Sequence, residues 1–293
     1  MHRFILFITG FFLLLCNTAA FTHEGEPNMA FLWRDGKIEV DTMRQGRTLG
    51  NHTTFVINFT DSLTPYRMGD AGFTGSGFDQ GGIISYQIES TLLKWSETDL
   101  QWLQEGFDEQ LVISRLSVEN TVTDKTGTGL QGFITNLTTS SSFEAHPVFK
   151  IQKTDESLPD DGAYMVFINI LGFDETGETI LYKPSVPFAL TFHINAQAGF
   201  DKLALSEALK VTPEIELNDY NRMDALFDWA ESQFIELFPH TAGSRFLFGY
   251  YARCYNNTVC LGSKDGKIYT TGGVFGGITE HGPINAFYES AGL

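Results

Sequence analysis

Imidazoles and carboxylates held close together can bind a divalent ion such as zinc, which takes three or four N, O or S ligands at about 2 Å. Four residues suit that chemistry: His23 and Glu24, adjacent in sequence, and Glu144 and His146, two apart. Alternate residues of a strand point to one side of a sheet, so Glu144 and His146 would offer two ligands on a common face. The segment carrying His23 and Glu24 would supply the rest. Of the other histidines, His193 in the run 191–194 is expected to pack as a strand residue, His52 adjoins a turn, and His240 and His281 read as loop residues.

A second candidate is the pair Cys254 and Cys260, which brackets the turn signal Asn256-Asn257. In an exported chain such a pair is expected to form a disulfide. Closing so short a loop stabilises by roughly 2 kcal/mol in the chain-entropy account.

Other motifs dissolve on inspection. Gly127-Thr128-Gly129-Leu130-Gln131-Gly132 satisfies G-x-G-x-x-G. The dinucleotide fingerprint follows a strand and opens a helix, whereas this stretch opens a strand. Gly75-Ser76-Gly77 lacks the outer glycines of a nucleophile elbow, with Thr74 and Phe78 in their places. His23-Glu24-Gly25-Glu26-Pro27 is not H-E-x-x-H. Asp160-Asp161 falls in a turn, where aspartate bonds to local backbone. No catalytic constellation emerges, so the chain reads as a non-enzyme. Trp95 and Trp102 bracket an acidic stretch, and Tyr250, Tyr251 and Tyr255 cluster near the end. Aromatic rings beside carboxylates could form a glycan platform; the competing expectation is that they pack in the core.

These residues must be positioned by strands. Residues 31–33 and 37–40 flank Asp35-Gly36, a hairpin-type dipeptide. Segments 53–59, 83–88, 111–116, 132–137, 147–152, 164–170 and 188–194 are rich in β-branched and aromatic residues, with Gly-, Asp- and Pro-bearing turns between most of them. Short strands at such spacing predict an antiparallel β-sandwich over 21–196. Helical spacing there is confined to the neighbourhood of 97–105. Residues 197–215 are expected to form a linker with a short helix near 203–210. Residues 216–293 are expected to form a small α+β module. Met223, Leu226, Phe227, Ala230, Phe234 and Leu237 recur at helical spacing over 221–237, with Asn218 or Asn221 to cap the helix and Pro239 to end it. Strands follow at 246–255, 259–262 and 267–271, the last two joined at Asp265-Gly266. The fold class expected is mainly β.

The N-terminus predicts export. Met1-His2-Arg3 is basic, 4–15 is an apolar run, and Asn17-Thr18-Ala19-Ala20 offers small residues for cleavage after Ala20. The run is well short of the roughly 20 residues a membrane span needs. No later stretch is apolar enough to span, so a secreted chain, periplasmic or extracellular, is expected. The net charge of −17 argues against nucleic-acid partners, whose phosphates are bound by excess positive charge.

Two resemblances sharpen this reading. Leu226-Phe227-Asp228-Trp229-Ala230-Glu231, Leu237-Phe238-Pro239, Tyr250-Tyr251-Ala252-Arg253-Cys254-Tyr255 and Leu261-Gly262-Ser263-Lys264-Asp265-Gly266-Lys267-Ile268-Tyr269 resemble a small module of secreted proteobacterial proteins, in outline F-x-W-A-E…L-F-P…Y-L-G-x-x-D-G. That module implies location, with no activity attached. Further upstream, the chain carries His23-Glu24, Asp35-Gly36-Lys37-Ile38, Asp70-Ala71-Gly72-Phe73, Leu92-Leu93-Lys94-Trp95, Glu144-Ala145-His146, the stretch 159–164 and Ser185-Val186-Pro187-Phe188. In that order these are similar to motifs of secreted bacterial β-proteins linked to zinc-responsive regulation, some with PEP-CTERM sorting tails. Glu144 stands where that family has a histidine, and no sorting tail is present. The resemblance implies a zinc-handling binding protein. The alternative expectation is an adhesion or carbohydrate-binding protein without metal.

Overall fold

Residues 162–173 read Gly-Ala-Tyr-Met-Val-Phe-Ile-Asn-Ile-Leu-Gly-Phe, with no regular polar alternation. A strand of that kind is stable where both its faces are covered. In a computed structural model of the protein every one of these residues is buried, in a strand at the centre of a nine-stranded sheet. The structure describes residues 28–34, 36–41, 46–49, 52–59, 66–137, 140–177, 180–215, 217, 220–234, 245–247, 250–255, 259–264, 266–271 and 277–293.

In chain order the first strands are β1 (Asn28–Arg34), β2 (Lys37–Val40), β3 (Arg47–Leu49), β4 (His52–Phe59), β5 (Arg67–Met68), β6 (Gly72–Ser76) and β7 (Ile83–Ile88). They are followed by β8 (Leu93–Ser96), β9 (Gln101–Leu103), β10 (Glu109–Arg115), β11 (Val118–Val122), β12 (Gln131–Asn136), β13 (Ser142–Ala145) and β14 (Val148–Lys153). The long central β15 (Gly162–Phe173), β16 (Ile180–Tyr182) and β17 (Phe188–Ile194) complete this part. Then come helices α1 (Lys202–Ala208) and α2 (Tyr220–Phe234), strands β18 (Arg245–Leu247), β19 (Tyr250–Tyr255), β20 (Val259–Lys264), β21 (Lys267–Thr271) and β22 (Ile278–Pro283), and helix α3 (Ile284–Ala291).

The central sheet runs β12-β7-β15-β17-β4-β3, with β16 and the β8–β9 hairpin joined at β15. Two four-stranded sheets, β13-β6-β1-β2 and β11-β10-β14-β5, cover one of its faces. Side-chain alternation fixes which residues meet there. Tyr164, Val166, Ile168 and Ile170 of β15 join Phe55 and Ile57 of β4 and Phe188 and Phe192 of β17. Phe31 reaches Phe188 and Phe149 reaches Phe192, each with ring centroids 5.6 Å apart. The mainly-β sandwich expected from the sequence is therefore present. Among the described residues its strands pair antiparallel except for β1 with β6 and β17 with β4, which run parallel, and a single parallel bridge joins Lys37 and Lys183.

The intervening residues Ala163, Met165 and Phe167 face the other way, onto Trp95, Trp102, Phe200, Leu205 and Ala208. The expected helix near 97–105 is instead part of the β8–β9 hairpin, because Trp95 and Trp102 stand directly opposite and pack edge to face at 5.6 Å. The segment read as a linker covers this second face: Phe200 and, from α1, Leu205 and Ala208 are buried in it, and Val211, Ile215 and Leu217 pack beside them. Asp201 caps α1 by accepting from the amides of Leu203 and Ala204.

In the C-terminal module the five-stranded sheet β18-β19-β20-β21-β22 carries α2 and α3. Met223, Leu226 and Phe227 meet Tyr251, Ile268, Ile284 and Tyr288 in its core. Asn221 lies inside α2, whose first residue is Tyr220, so it is not the cap. Asn218, Leu237 and Pro239 fall outside the described residues. The strand expected over 246–255 is two paired strands, β18 and β19, and β22 and α3 follow where no element was anticipated. Among the described residues no helix is long and apolar enough to cross a membrane.

Candidate functional site

Glu144 and His146 come together as the strand pattern predicts. Ala145 between them points into the core, so both flanking side chains lie on the outward face of the sheet edge formed by β13. Each is partly exposed. His146 Nδ1 is 3.0 Å from the carbonyl oxygen of Asp70, and its Nε2 is 3.2 Å from Glu144 Oε1. A neutral imidazole has one N–H. If Nδ1 carries it and donates to Asp70, the Nε2 lone pair faces the carboxylate. A backbone carbonyl holding the far ring nitrogen is how metal-binding histidines are oriented. Two ligands at about 2 Å from a tetrahedral ion stand about 3.3 Å apart, close to the separation seen. Arg115 Nη1 donates to the His146 carbonyl oxygen at 3.2 Å, which steadies the backbone here.

Sheet register also sets where β1 begins relative to His146. Asn28 at the start of β1 pairs with Gly72, and Phe73 pairs with Ala145, so β1 begins two strands from His146. That is about 10 Å across. His23 precedes Asn28 by five residues, and such a length of extended chain reaches up to about 17 Å. His23 and Glu24 themselves lie outside the described residues. Among the described residues no group of three or more His, Cys, Asp or Glu side chains could hold a metal ion.

The remaining histidines are placed as follows. His193 is buried, with Nδ1 3.0 Å from Asn58 Oδ1 and Nε2 2.9 Å from the Phe200 carbonyl, a packed strand histidine as expected. His52 sets its ring against Phe167, and burial lowers its pKa. His281, expected in a loop, is a residue of β22, exposed beside Thr270, and His240 lies outside the described residues. The sulfurs of Cys254 and Cys260 are 1.97 Å apart, a disulfide joining directly opposed residues of β19 and β20.

Among the described residues the candidate aromatic rings pack instead of forming a platform. Trp95 and Trp102 are buried, and the Trp102 indole donates to the Val211 carbonyl. Tyr251 is core, packed on Tyr220 and Phe227, while Tyr250 leans on Tyr269. The side chain of Tyr255 lies outside the described residues. The glycine-rich stretch 127–132 turns at Gly127 and Gly129, both with positive φ, and leads into β12 as a strand entry.

What the sequence reading missed is a cleft of about 760 Å³ where the sandwich meets the C-terminal module. Glu89 and Thr91, just after β7, Gln104 after β9, and Arg222, Asn285 and Tyr288 of α2 and α3 contribute to its lining. Glu89 at its base is buried, and its Oε1 accepts from Tyr220 Oη at 2.9 Å and from Gln87 Nε2 at 3.0 Å. Burial, then the charge of Glu89, raises the Tyr220 hydroxyl well above its ordinary pKa, so it stays a donor. No motif marks these residues. The one local hint is a glutamate directly after the apolar strand 83–88.

Fold and site together define a mainly-β chain with a disulfide-bridged α+β module and two polar surface features. No protein-family model, curated protein or solved structure matches it.

Proposed function

We propose that the chain is a secreted, non-enzymatic binding protein that takes a divalent metal ion, zinc by its donor set, at Glu144 and His146. The observation that carries this reading is the orientation of His146: Nδ1 rests on the Asp70 carbonyl while Nε2 lies 3.2 Å from Glu144 Oε1. Two protein ligands do not complete a tetrahedral site, and His23 and Glu24, five and four residues before β1 in sequence, would supply the others. Bound there, the ion would tie the start of the chain to the sheet edge. Export is supported by the apolar leader and by the Cys254–Cys260 disulfide, a bond that persists in oxidising compartments.

The test is calorimetric titration of zinc into the chain starting at Phe21, beside His146→Ala, Glu144→Ala and His23→Ala variants. One ion per chain is expected, with affinity lowered at least about 10-fold in each variant. Equal affinity in the wild type and the His146→Ala variant would refute the site.

A further inference from the structure

We infer that Lys94 and Glu109 condense to an intramolecular amide, a covalent cross-link between two layers of the sandwich. This inference is independent of the metal reading and concerns a different part of the molecule.

Strand alternation aims both side chains into the interior. Leu93 and Trp95 of β8 pack on the second face of the central sheet, so Lys94 between them points to the first, directly opposite Tyr164 of β15. Glu109 alternates into the same interior with Leu111 and Ile113 of β10, which belongs to a covering sheet. Lys94 Nζ stands 2.7 Å from Glu109 Oε1, with the lysine largely and the glutamate wholly buried. Holding an amine and a carboxyl in contact removes the encounter from the barrier to their condensation. The ion pair of the folded chain is therefore the reactant.

The two oxygens of Glu109 differ. Oε1 faces Lys94, Tyr164 Oη at 3.0 Å and the Asp160 amide at 3.4 Å, and the Tyr164 hydroxyl also lies 2.8 Å from the Asp160 carbonyl oxygen. Oε2 is buried as well and has no hydrogen-bond partner among the described residues. A buried ion pair with one oxygen unsatisfied is destabilising. Amide formation removes that oxygen. Oε1 becomes the amide oxygen with its donors already in place, and the remaining N–H faces Asp160 Oδ2, 3.1 Å from Nζ. The product leaves neither a buried charge nor an unpaired oxygen at Glu109.

The step balances with no outside reactant. Asp160 Oδ2 takes one proton from the Lys94 ammonium, which releases the nitrogen lone pair to attack Glu109 Cδ. The Asp160 proton passes to Oε2 as the N–C bond forms, and negative charge stays on Oε1, where the Tyr164 hydroxyl stabilises it. Burial, and then the charge of Glu109, holds that hydroxyl well above its ordinary pKa, so it remains a donor. A second proton passes from the nitrogen to Oε2, the Cδ–Oε2 bond breaks, and one water leaves. Asp160 ends as the carboxylate it began as, and its side chain, 59% exposed, opens a path for that water.

The experiment is mass spectrometry of the chain starting at Phe21, with the disulfide reduced. The intact mass is expected to fall short of the sequence mass by one water, about 18 Da, and proteolysis to release a branched peptide joining Lys94 to Glu109. Lys94→Arg keeps the charge and cannot close the amide, so it is expected at full mass. Asp160→Ala alters a largely exposed side chain and is expected to fold, with the linked fraction lowered at least about 10-fold. Circular dichroism checks the fold of all three proteins. A folded wild type at full mass overturns the inference, as does a water loss that persists in Lys94→Arg. A branch from Lys94 to Asp160 overturns the choice of Glu109, and full linkage in Asp160→Ala overturns the role of Asp160 as proton carrier.

Discussion

Glu109 shows how a single buried charge is kept in this protein. Its side chain has no exposed surface, and Oε1 accepts from Lys94 Nζ at 2.7 Å and from Tyr164 Oη at 3.0 Å. Asp160, above it, is bracketed by Lys94 and Lys153, each 3.1 Å away. Burial alone would raise the Asp160 pKa, but the hydrogen bonds from Lys153 and Lys94 outweigh it and the net shift is downward. Lys153 is shifted up by its hydrogen bond to Asp160 and by that residue's charge. A depressed carboxylate contributes stability above its ordinary pKa of about 3.9 and loses it as pH falls through the lower folded value. A raised lysine contributes fully below its ordinary value of about 10.4 and loses that as pH rises through the higher folded one. The pair thus supports the fold across neutral pH. Lys153→Gln is expected to be less stable than the wild type at about pH 7, with the gap closing at about pH 2. Urea midpoints at both pH values check this; a gap that persists in acid would assign the loss to packing.

At the scale of elements, strand pairing leaves little room for error. Gly132 of β12 stands opposite Tyr86 of β7, and a Cβ on Gly132 would lie 2.0 Å from the Tyr86 ring. The Tyr86 hydroxyl accepts from Asn120 at 3.0 Å, and burial pushes its pKa up to about 12, slightly countered by that bond. The ring therefore cannot move aside without breaking a buried contact. Gly132→Ala is expected to destabilise by roughly 1–3 kcal/mol, the range for overpacked cores, read from the urea midpoint. An unchanged midpoint would mean that the ring relocates at no cost. The β8–β9 hairpin makes a related point about legibility. The spacing of 97–105 fits a helix as well as a strand pair, and the Trp95–Trp102 contact across the hairpin decides it. That contact lies in three dimensions, between residues seven apart in sequence.

For the whole molecule, a buried polar contact joins the sandwich to the C-terminal module. Tyr220 of α2 reaches Glu89 and Gln87, and Tyr251 beside it packs edge to face at 4.6 Å. Tyr220→Phe removes the hydroxyl donor from a buried carboxylate, a loss of about 2 kcal/mol. It is expected to weaken the junction more than either part. Hydrogen exchange should then rise in α2 and α3 while β15 stays protected, and thermal unfolding should split into two transitions. A single cooperative transition with uniformly faster exchange would instead show that the two parts unfold as one unit.

Sequence alone determined the mainly-β class, the strands at 83–88 and 188–194, the short helix near 203–210 and the Cys254–Cys260 bond. These rest on local causes: β-branched and aromatic runs, turn dipeptides, helical spacing, and two cysteines close to one turn. It also placed Glu144 and His146 on one face, because strand alternation is local. Tertiary structure decided which sheet face each segment covers, turning the expected linker into part of the second layer and Trp95 and Trp102 into core. It alone assembled the cleft, since Glu89, Arg222 and Asn285 meet only after the module docks on the sandwich. The reason is that such contacts depend on chain reversal and packing over many residues, which periodicity does not encode.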